Sequence, residues 1–195
     1  RVLKLFPNFT DGQVDGFLEL LGAERELYLV NFEAEYQRLQ SWSQQWLSTP
    51  STRVLPDGSV VAVEQYEKQV VAELLKRCWQ RQSLKYSRYG VRRGYELTLR
   101  GRAIGALPAL EVDFGHVNFL DLSDMGLMAA PNEFLESFPY VQRLELQANR
   151  LVDIPAQLDE MPSLVYLDLS SNSIRLTTGE AVSLARMRGL RELNL

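Results

Sequence analysis

The 195-residue chain is 46% hydrophobic and 24% charged, with a formal net charge of −4. This composition is typical of a globular protein, and the acidic balance argues against a general nucleic-acid binder. A single cysteine, Cys78, excludes an internal disulfide, and a single histidine, His116, leaves too few ligands for a zinc site or a histidine-based triad. No run of about 18 apolar residues predicts a membrane span. We therefore expect no metal, no cofactor and no catalytic centre in this chain.

Residues 1–84 are predicted to form a helical bundle that caps the rest of the chain. Thr10 and Gln13 fit a capping box, and Gly22 marks the end of a short amphipathic helix. A second helix is predicted over residues 23–47 and a third over residues 62–82, with the proline-containing turn STPSTRVLPDGS between them. The second helix is identified by five apolar residues among charges, Leu27, Val30, Ala34, Trp42 and Trp46.

Residues 85–195 contain an internal repeat of the form LxxLxLxxNxL. Its copies start near residues 94, 117, 141, 164 and 190, and the last copy is truncated. This period lies within the range of leucine-rich repeats, in which each LxL is a short strand with inward leucines. One repeat cannot bury its leucines alone, so neighbours must stack. The predicted fold class is α+β, with an N-terminal helical bundle followed by a leucine-rich-repeat solenoid that has a concave parallel sheet of about five strands.

The repeat pattern also predicts local structure. Strands are expected at residues 97–99, 120–122, 144–146 and 167–169. Asn149 and Asn172 occupy the ninth position of their copies, where a side-chain amide can satisfy backbone groups at the turn after the strand. Arg102 and Met125 stand there in the first two copies, so the early repeats should be less regular. The segment GEAVSLARMRGL predicts a short helix on the convex side.

Cys78 and His116 are the two single residues that could carry chemistry. Cys78 lies in the helical segment VVAELLKRCWQRQ, where a small buried core residue is the preferred interpretation over a reactive thiol. His116 lies in a turn, DFGHVNF, with no nucleophile or carboxylate at a meaningful spacing. We expect it to be an ordinary loop residue.

A basic stretch joins the two parts of the chain. It is interleaved with Tyr86, Tyr89 and Tyr95 and opposed only by Glu96. Its cations are Lys76, Arg77, Arg81, Lys85, Arg88, Arg92, Arg93, Arg100 and Arg102. Such a mixture can bind phosphates or an anionic membrane surface. The favoured alternative is a solvated junction in which arginines stack on tyrosines and pair with acids of the helices.

The concave face is the predicted protein-binding surface, because residues between the strand leucines point away from the core. One column of the sheet contains Thr98, Asp121, Glu145, Asp168 and Asn194, and a neighbouring column contains Glu96, Phe119, Arg143, Tyr166 and Glu192. We expect Phe119 and Tyr166 to be exposed apolar anchors. The acids Asp121, Glu145 and Asp168 should attract a basic patch of the partner.

The helical lead-in RVLKLFPNFTDGQVDGFLELLGAERELYLVNFEAEYQRLQSWSQQW, the segment LLKRCWQRQ and the repeat VNFLDLSDMGL together resemble one family. It comprises large bacterial effectors that end in an IpaH-like, novel-type ubiquitin ligase domain. The resemblance implies delivery into a host cell, repeats that select a host protein substrate, and a separate C-terminal domain with a catalytic Cys-x-Asp motif. Cys78 is followed by Trp79 and Gln80, so that motif is absent here. Ligase chemistry, and contact with ubiquitin-conjugating enzymes, would belong to a domain outside this chain.

Two classes of function follow from these observations. The leading one is a non-catalytic, substrate-recognition segment of a secreted effector acting in the host cytoplasm. The second is a non-enzymatic adaptor or membrane-associated scaffold that uses the basic stretch, with a host-type repeat protein as a more distant third. Nucleic acid is not an expected partner of any of them.

Overall fold

The computed structural model describes residues 1–86 and 92–195, and the side chains of Tyr86, Arg92 and Arg93 lie outside that description. Within it, a helical N-terminal region precedes a mainly parallel sheet. The helices before the sheet are α1 (Val2–Leu5), α2 (Asp11–Leu21), α3 (Arg25–Ser48) and α4 (Gln65–Trp79). A 3₁₀ turn, Gly22–Glu24, joins α2 to α3. All three longer helices were predicted.

The start of α2 is fixed by the predicted capping box. Thr10 Oγ1 accepts the backbone N–H of Gln13, and the Gln13 side chain accepts the backbone N–H of Thr10. These two bonds satisfy amides that have no partner inside the helix. At the other end, Gly22 has a φ of 60°, a left-handed conformation that glycine adopts without strain.

The face of α3 that packs into the core differs from the apolar residues that identified the helix. Trp42 is buried, but Leu27 and Val30 are 59% and 52% exposed. The buried face is instead built on Leu29 and Leu39. Sequence alone did not distinguish the two stripes because both are apolar at helical spacing.

An aromatic cluster holds the helical region together. The fully buried Phe6 ring stacks on Trp79 of α4 with their centroids 5.8 Å apart. Phe32 and Tyr36 of α3 contact the same indole, and Phe17 of α2 packs against Phe6. Trp79 of α4 therefore contacts the residue after α1 and helix α3, and α2 joins the same cluster through the Phe17–Phe6 contact.

A two-stranded hairpin, β1 (Thr52–Val54) and β2 (Val60–Ala62), connects α3 to α4 where the sequence predicted only a turn. Its strands are three residues long, too short for an alternating pattern to be recognised.

Lys68 of α4 is buried beside this connection, with 1% of its surface exposed. Its ammonium donates to the carbonyl oxygens of Trp46 and Thr49 at the C-terminal end of α3. The Trp46 carbonyl also accepts a long bond from the Thr49 N–H, so Lys68 adds a second donor there and a first one to the Thr49 carbonyl just beyond the helix.

The main sheet has the order β3-β4-β5-β6-β7-β8. Its strands are β3 (Leu84–Tyr86), β4 (Arg92–Thr98), β5 (Val117–Asp121), β6 (Arg143–Glu145), β7 (Tyr166–Asp168) and β8 (Glu192–Asn194). β3 pairs antiparallel to β4, and every later pair is parallel. The strands β4 to β7 overlap the four predicted ranges, β8 lies in the truncated fifth copy, and β4 begins five residues before its predicted start. The strand β3 was not predicted.

The strand leucines form the core of the repeats. All eight are at most 2% exposed: Leu97, Leu99, Leu120, Leu122, Leu144, Leu146, Leu167 and Leu169. The segments that connect each repeat strand to the next contain α5 (Asn132–Leu135), a 3₁₀ segment (Ala156–Glu160) and the predicted convex helix α6 (Thr178–Arg186). Phe134, Phe138 and Met161 pack inward from these segments. The helical and repeat residues contribute to one continuous hydrophobic cluster, and the division at residues 84 and 85 stays a prediction.

Asn149 and Asn172 make the turn contacts that the repeat pattern predicted. Asn149 is 5% exposed, accepts the amides of Met125 and Leu127 on Oδ1, and donates from Nδ2 to the carbonyls of Leu122 and Leu146. One repeat later, Asn172 accepts the amide of Leu151 on Oδ1 and donates from Nδ2 to the carbonyls of Leu146 and Leu169. Each asparagine thus ties its own repeat to the preceding one.

A candidate protein-binding face

The strand register aligns the two predicted columns across five strands. Thr98, Asp121, Glu145, Asp168 and Asn194 are successive partners in one column. Glu96, Phe119, Arg143, Tyr166 and Glu192 are successive partners in the other. Because side chains alternate along a strand, both columns lie on the face opposite the buried leucines. The predicted binding residues are therefore brought together on one surface.

Phe119 is not the freely exposed anchor that the sequence predicted. It is half-buried, and the Lys85 ammonium of β3 lies 5.0 Å from its ring centroid. Lys85 also forms an ion pair with Glu96 on the neighbouring strand. Lys85 lies on β3, a strand that was not predicted, so the sequence did not indicate that its ammonium would lie over the Phe119 ring. A Lys–aromatic contact of this kind is a weak attraction at a solvent-accessible site.

Tyr166 is covered in a related way by Arg143. The guanidinium carbon lies 3.6 Å from the Tyr166 ring centroid, and Arg143 Nε lies 2.6 Å from a carboxylate oxygen of Glu145. Burial alone would lower the pKa of the Arg143 guanidinium, but the hydrogen bond and charge of Glu145 outweigh it and raise the pKa. Tyr166 is half-buried rather than exposed. The ring, the guanidinium and the carboxylate form one ordered stack.

The predicted acidic stripe is partly engaged in local hydrogen bonds. Asp121 Oδ1 accepts the backbone amide and the hydroxyl of Ser123, and Asp168 Oδ1 accepts the same two groups of Ser170. Burial would raise the pKa of Asp168, but the bonds from Ser170 and Asn194 dominate and lower it. The signal in the sequence is Asp-x-Ser directly after the strand, a spacing typical of side-chain turns. The serine bonds hold both carboxylates in fixed positions.

The electrostatic character of the face follows from this arrangement. The two columns and the adjoining Lys85 contain five carboxylates and two cations, so their formal charge is −3. The carboxylates are Glu96, Asp121, Glu145, Asp168 and Glu192, and the cations are Lys85 and Arg143. A cavity of about 50 Å³ lies between the two columns near Phe119. That volume is far below the roughly 300 Å³ of a small-molecule site, so the face suits a protein surface better than a cofactor.

Cys78 is buried, as the sequence predicted. It is fully inaccessible, and burial raises the pKa of its thiol to about 12. Its sulfur contacts the backbone carbonyl of Glu96 at 3.7 Å, where α4 packs on β4. A neutral, enclosed thiol is a poor nucleophile. Among the residues that the structure describes, no cluster of three or more histidine, cysteine or acidic side chains could hold a metal.

His116 is not an ordinary loop residue, which corrects the expectation from sequence. Its Nε2 lies 2.9 Å from the carbonyl oxygen of Cys78, at the end of α4. A carbonyl can only accept, so the neutral ring carries its proton on Nε2. Burial, together with the Arg81 charge, lowers the pKa of His116 to about 3. The imidazole therefore fastens the first repeat to the helical region.

The basic stretch is largely paired where it is described. Arg81 packs against the Phe6 and Trp79 rings, Lys85 pairs with Glu96, and Arg102 lies 3.7 Å from Glu67 of α4. The Arg102–Glu67 pair fits the solvated-junction alternative. Arg81 packs on a phenylalanine and a tryptophan rather than a tyrosine, and the acid that pairs with Lys85 lies on a strand rather than on a helix. Arg88 and Tyr89, and the side chains of Tyr86, Arg92 and Arg93, lie outside the described residues.

Comparisons with known proteins bear on the repeats. Residues 139–195 match the family model described as leucine rich repeat. No curated protein matches the chain. Among solved structures, the chain is similar to a chain of the Drosophila melanogaster SNF/U2A' complex, at 25% sequence identity and a TM-score of 0.45. That similarity covers 62% of this chain and 64% of the other. Of the helices in the described residues, none has the length and hydropathy to cross a bilayer.

Proposed function

We propose that this chain, which carries leucine-rich repeats, recognises a protein partner through the concave face of its sheet. Phe119, Tyr166 and Arg143 supply the central contacts in this proposal, and Asp121, Glu145 and Asp168 supply the charge. The repeats act as a solenoid whose stacking keeps these side chains in register. The partner presents a basic surface, because the two columns and Lys85 sum to a formal charge of −3.

The ordered stack of Glu145, Arg143 and Tyr166 is the observation that supports this proposal most directly. Its groups are hydrogen-bonded or stacked before any partner arrives, so little side-chain entropy remains to be lost on binding. Arginine and tyrosine are also the residue types that most often carry binding energy at protein interfaces.

A photo-crosslinking experiment tests the proposal. A photoreactive amino acid at Tyr166, or at the exposed convex residue Glu133 as a matched control, would be used to trap partners from cells. Binding of the purified partner would then be measured for variants. Tyr166→Ala should speed dissociation, whereas amides at Asp121, Glu145 and Asp168 should slow association and flatten its salt dependence. A partner trapped only from Glu133, or unaffected by both sets, would refute the assignment.

The resemblance to ligase effectors supports a further proposal about the parent protein. In it, this chain is the substrate-recognition segment, and a ubiquitin ligase domain lies outside it. The protein is secreted into a host cell and acts in the host cytoplasm on a host protein, and the recognition segment itself forms no thioester with ubiquitin. The reading frame after Leu195 tests this. A helical domain with Cys-x-Asp would support it, and a stop codon would favour a free-standing adaptor.

The membrane-associated scaffold is the alternative that the basic stretch favours. It requires the chain to bind anionic lipid through Arg92 and Arg93. Co-sedimentation with phosphatidylserine vesicles tests it, with phosphatidylcholine vesicles as the control. Binding that charge reversal at both arginines abolishes would support the scaffold, and equal sedimentation with both vesicle types would contradict it.

A further inference from the structure

A cavity of about 270 Å³ lies where α4 packs against the first parallel strand, β4. Its lining includes Leu74 and Arg77 of α4, Ser83 and Leu84 at the start of β3, and residues 96–98 of β4. We call this space the α4–β4 cavity. Arg77 is exposed, so the cavity opens to solvent on that side. Its volume is close to the roughly 300 Å³ at which small-molecule sites begin.

Three leucines give the α4–β4 cavity an apolar wall. Leu97 is 2% exposed, and Leu74 and Leu84 are half-buried. An alkyl group in the cavity would cover the apolar surface that Leu74 and Leu84 still present to water, which is favourable. At the share of about 30 Å³ that a water molecule takes in the liquid, the volume holds about nine non-hydrogen atoms. The wall therefore suits a short alkyl chain.

The cavity also has an unsatisfied polar group. Ser83 Oγ is buried and has no hydrogen-bond partner within the described ranges 1–86 and 92–195. The neighbouring Cys78 thiol is only a weak acceptor, and its own proton points to the carbonyl oxygen of Glu96. A buried hydroxyl without a partner is unfavourable. A ligand that accepts a hydrogen bond would satisfy it.

Arg77 gives the opening of the cavity a positive charge. Its guanidinium forms no ion pair in the part of the chain that the structure describes. Glu73, one turn earlier on α4, pairs with Lys76 instead. Glu96 also lines the cavity, but its carboxylate is paired with Lys85. Because that pair is neutral, Arg77 leaves the site with one positive charge, which favours an anion.

We propose that the α4–β4 cavity is a small-molecule site that binds a short, straight-chain aliphatic carboxylate of about six carbon atoms. The alkyl chain lies against the leucine wall, and the carboxylate accepts hydrogen bonds from the Arg77 guanidinium and the Ser83 hydroxyl. A carboxylate suits both groups because it is an acceptor without a proton of its own. This site is independent of the partner-binding face proposed above.

Calorimetric titration of the intact chain with hexanoate tests this proposal. Two ligands with the same alkyl chain are the controls, hexan-1-ol with a neutral head group and hexylammonium with a positive one. Hexanoate should bind at least about tenfold more tightly than either, because only its head group can pair with a guanidinium. In nuclear magnetic resonance spectra, hexanoate should shift the backbone amides of Ser83, Leu84 and Leu97.

Three variants assign the binding to this cavity. Arg77→Gln should weaken hexanoate binding about tenfold or more, and Ser83→Ala should weaken it about fivefold. Lys76→Gln is the matched control, since Lys76 is the neighbouring cation of α4 and lies outside the lining, and it should leave the affinity unchanged. Arg77→Gln should keep the thermal stability of the parent because that side chain is exposed.

Several results would overturn the carboxylate site. One is the absence of saturable hexanoate binding up to about 10 mM, which would mean an affinity too weak for a specific site. Equal binding of hexan-1-ol or hexylammonium would show that the head group is not recognised. Equal losses in Arg77→Gln and Lys76→Gln, or amide shifts only outside the α4–β4 cavity, would place the ligand elsewhere on the surface.

Discussion

The helical region and the repeats bury their apolar residues by different means. In the repeats, leucines at equivalent positions stack strand on strand, and asparagines at equivalent turns connect neighbours. In the helical region, the Trp79 ring stacks on Phe6 and Tyr36, and the buried Lys68 donates a hydrogen bond to a carbonyl near the end of α3. The repeats therefore spread their stability over many similar contacts, whereas the helical region concentrates it in a few unlike ones. Substitutions at matched sites can test that difference.

The largest expected effect is at Trp79. Trp79→Ala should lower the free energy of unfolding by about 3–5 kcal/mol, because the indole is 1% exposed and stacks on several rings. Leu144→Ala, its counterpart in the repeats, should cost about 2–4 kcal/mol. Urea unfolding followed by tryptophan fluorescence and circular dichroism measures both. Two resolved transitions, each shifted by only one variant, would show that the regions unfold separately. One shared transition would argue against a boundary at residues 84 and 85.

The second effect concerns the asparagine turns. Asn149→Ala removes partners from two amides and two carbonyls in a buried site, so it should cost about 3 kcal/mol. Asn172 is half-buried and its released groups can reach water, so Asn172→Ala should cost about half as much. Chemical denaturation of the two variants gives the comparison. Equal losses would mean that burial does not decide the value of this contact.

The third effect depends on pH and lies at the contact between the regions. The unfolded-state pKa of a histidine is about 6.5, and the folded-state pKa of His116 is about 3, so the unfolded chain binds an extra proton between these values. Stability from this residue is thus complete above pH 6.5 and is lost as the pH falls. Between pH 7 and pH 5 the loss should be about 2 kcal/mol.

The control for this titration is His116→Gln, which keeps a side-chain donor but has no ionisable group. Its free energy of unfolding should fall by about 2 kcal/mol less than that of the wild type over the same pH range. Carboxylates titrate in both proteins and cancel in the difference. Parallel pH profiles for the two proteins would contradict a buried neutral imidazole at this position.

The smallest expected effect is at the capping box, which occurs once in each region. Thr10 begins α2 and Thr177 begins α6, each with a complete capping box. Thr10→Ala and Thr177→Ala should each cost about 1 kcal/mol, since each frees an exposed amide at a helix start. Thermal unfolding monitored by circular dichroism measures both losses. A loss confined to one variant would show that the two helix starts contribute differently despite the same local geometry.

The repeats were the most predictable part of the molecule because their signal recurs. Five copies of one pattern fixed the strands and the two columns of the candidate face, whereas α3 had to be judged from a single helix. There, two apolar stripes compete at the same spacing, and only packing against Phe6 and Trp79 decides between them. The hairpin β1–β2 and strand β3 were missed because three residues cannot show an alternation.

The position of the candidate site could be predicted from the sequence, but the exposure and contacts of its side chains could not. Register follows from the repeat, so the alignment of Phe119, Arg143 and Tyr166 could be inferred before the structure. The side chains that lie over the two aromatic rings could not be inferred in the same way. Lys85 reaches Phe119 from a strand outside the repeat pattern, and the choice of Arg143 between several acids depends on side-chain geometry. The Asp-x-Ser bonds, by contrast, follow from local spacing in the sequence.

The position of Lys85 has a consequence for anyone who would graft this binding face. It lies on the antiparallel strand β3, yet it covers the Phe119 ring of the second parallel strand. A chimera that transplanted only β4 to β8 would leave that ammonium behind, and Glu96 would lose its ion-pair partner. The grafted face would then be more acidic and more apolar at one end than its parent. The transferable unit is therefore the parallel strands together with the non-repeat strand beside them.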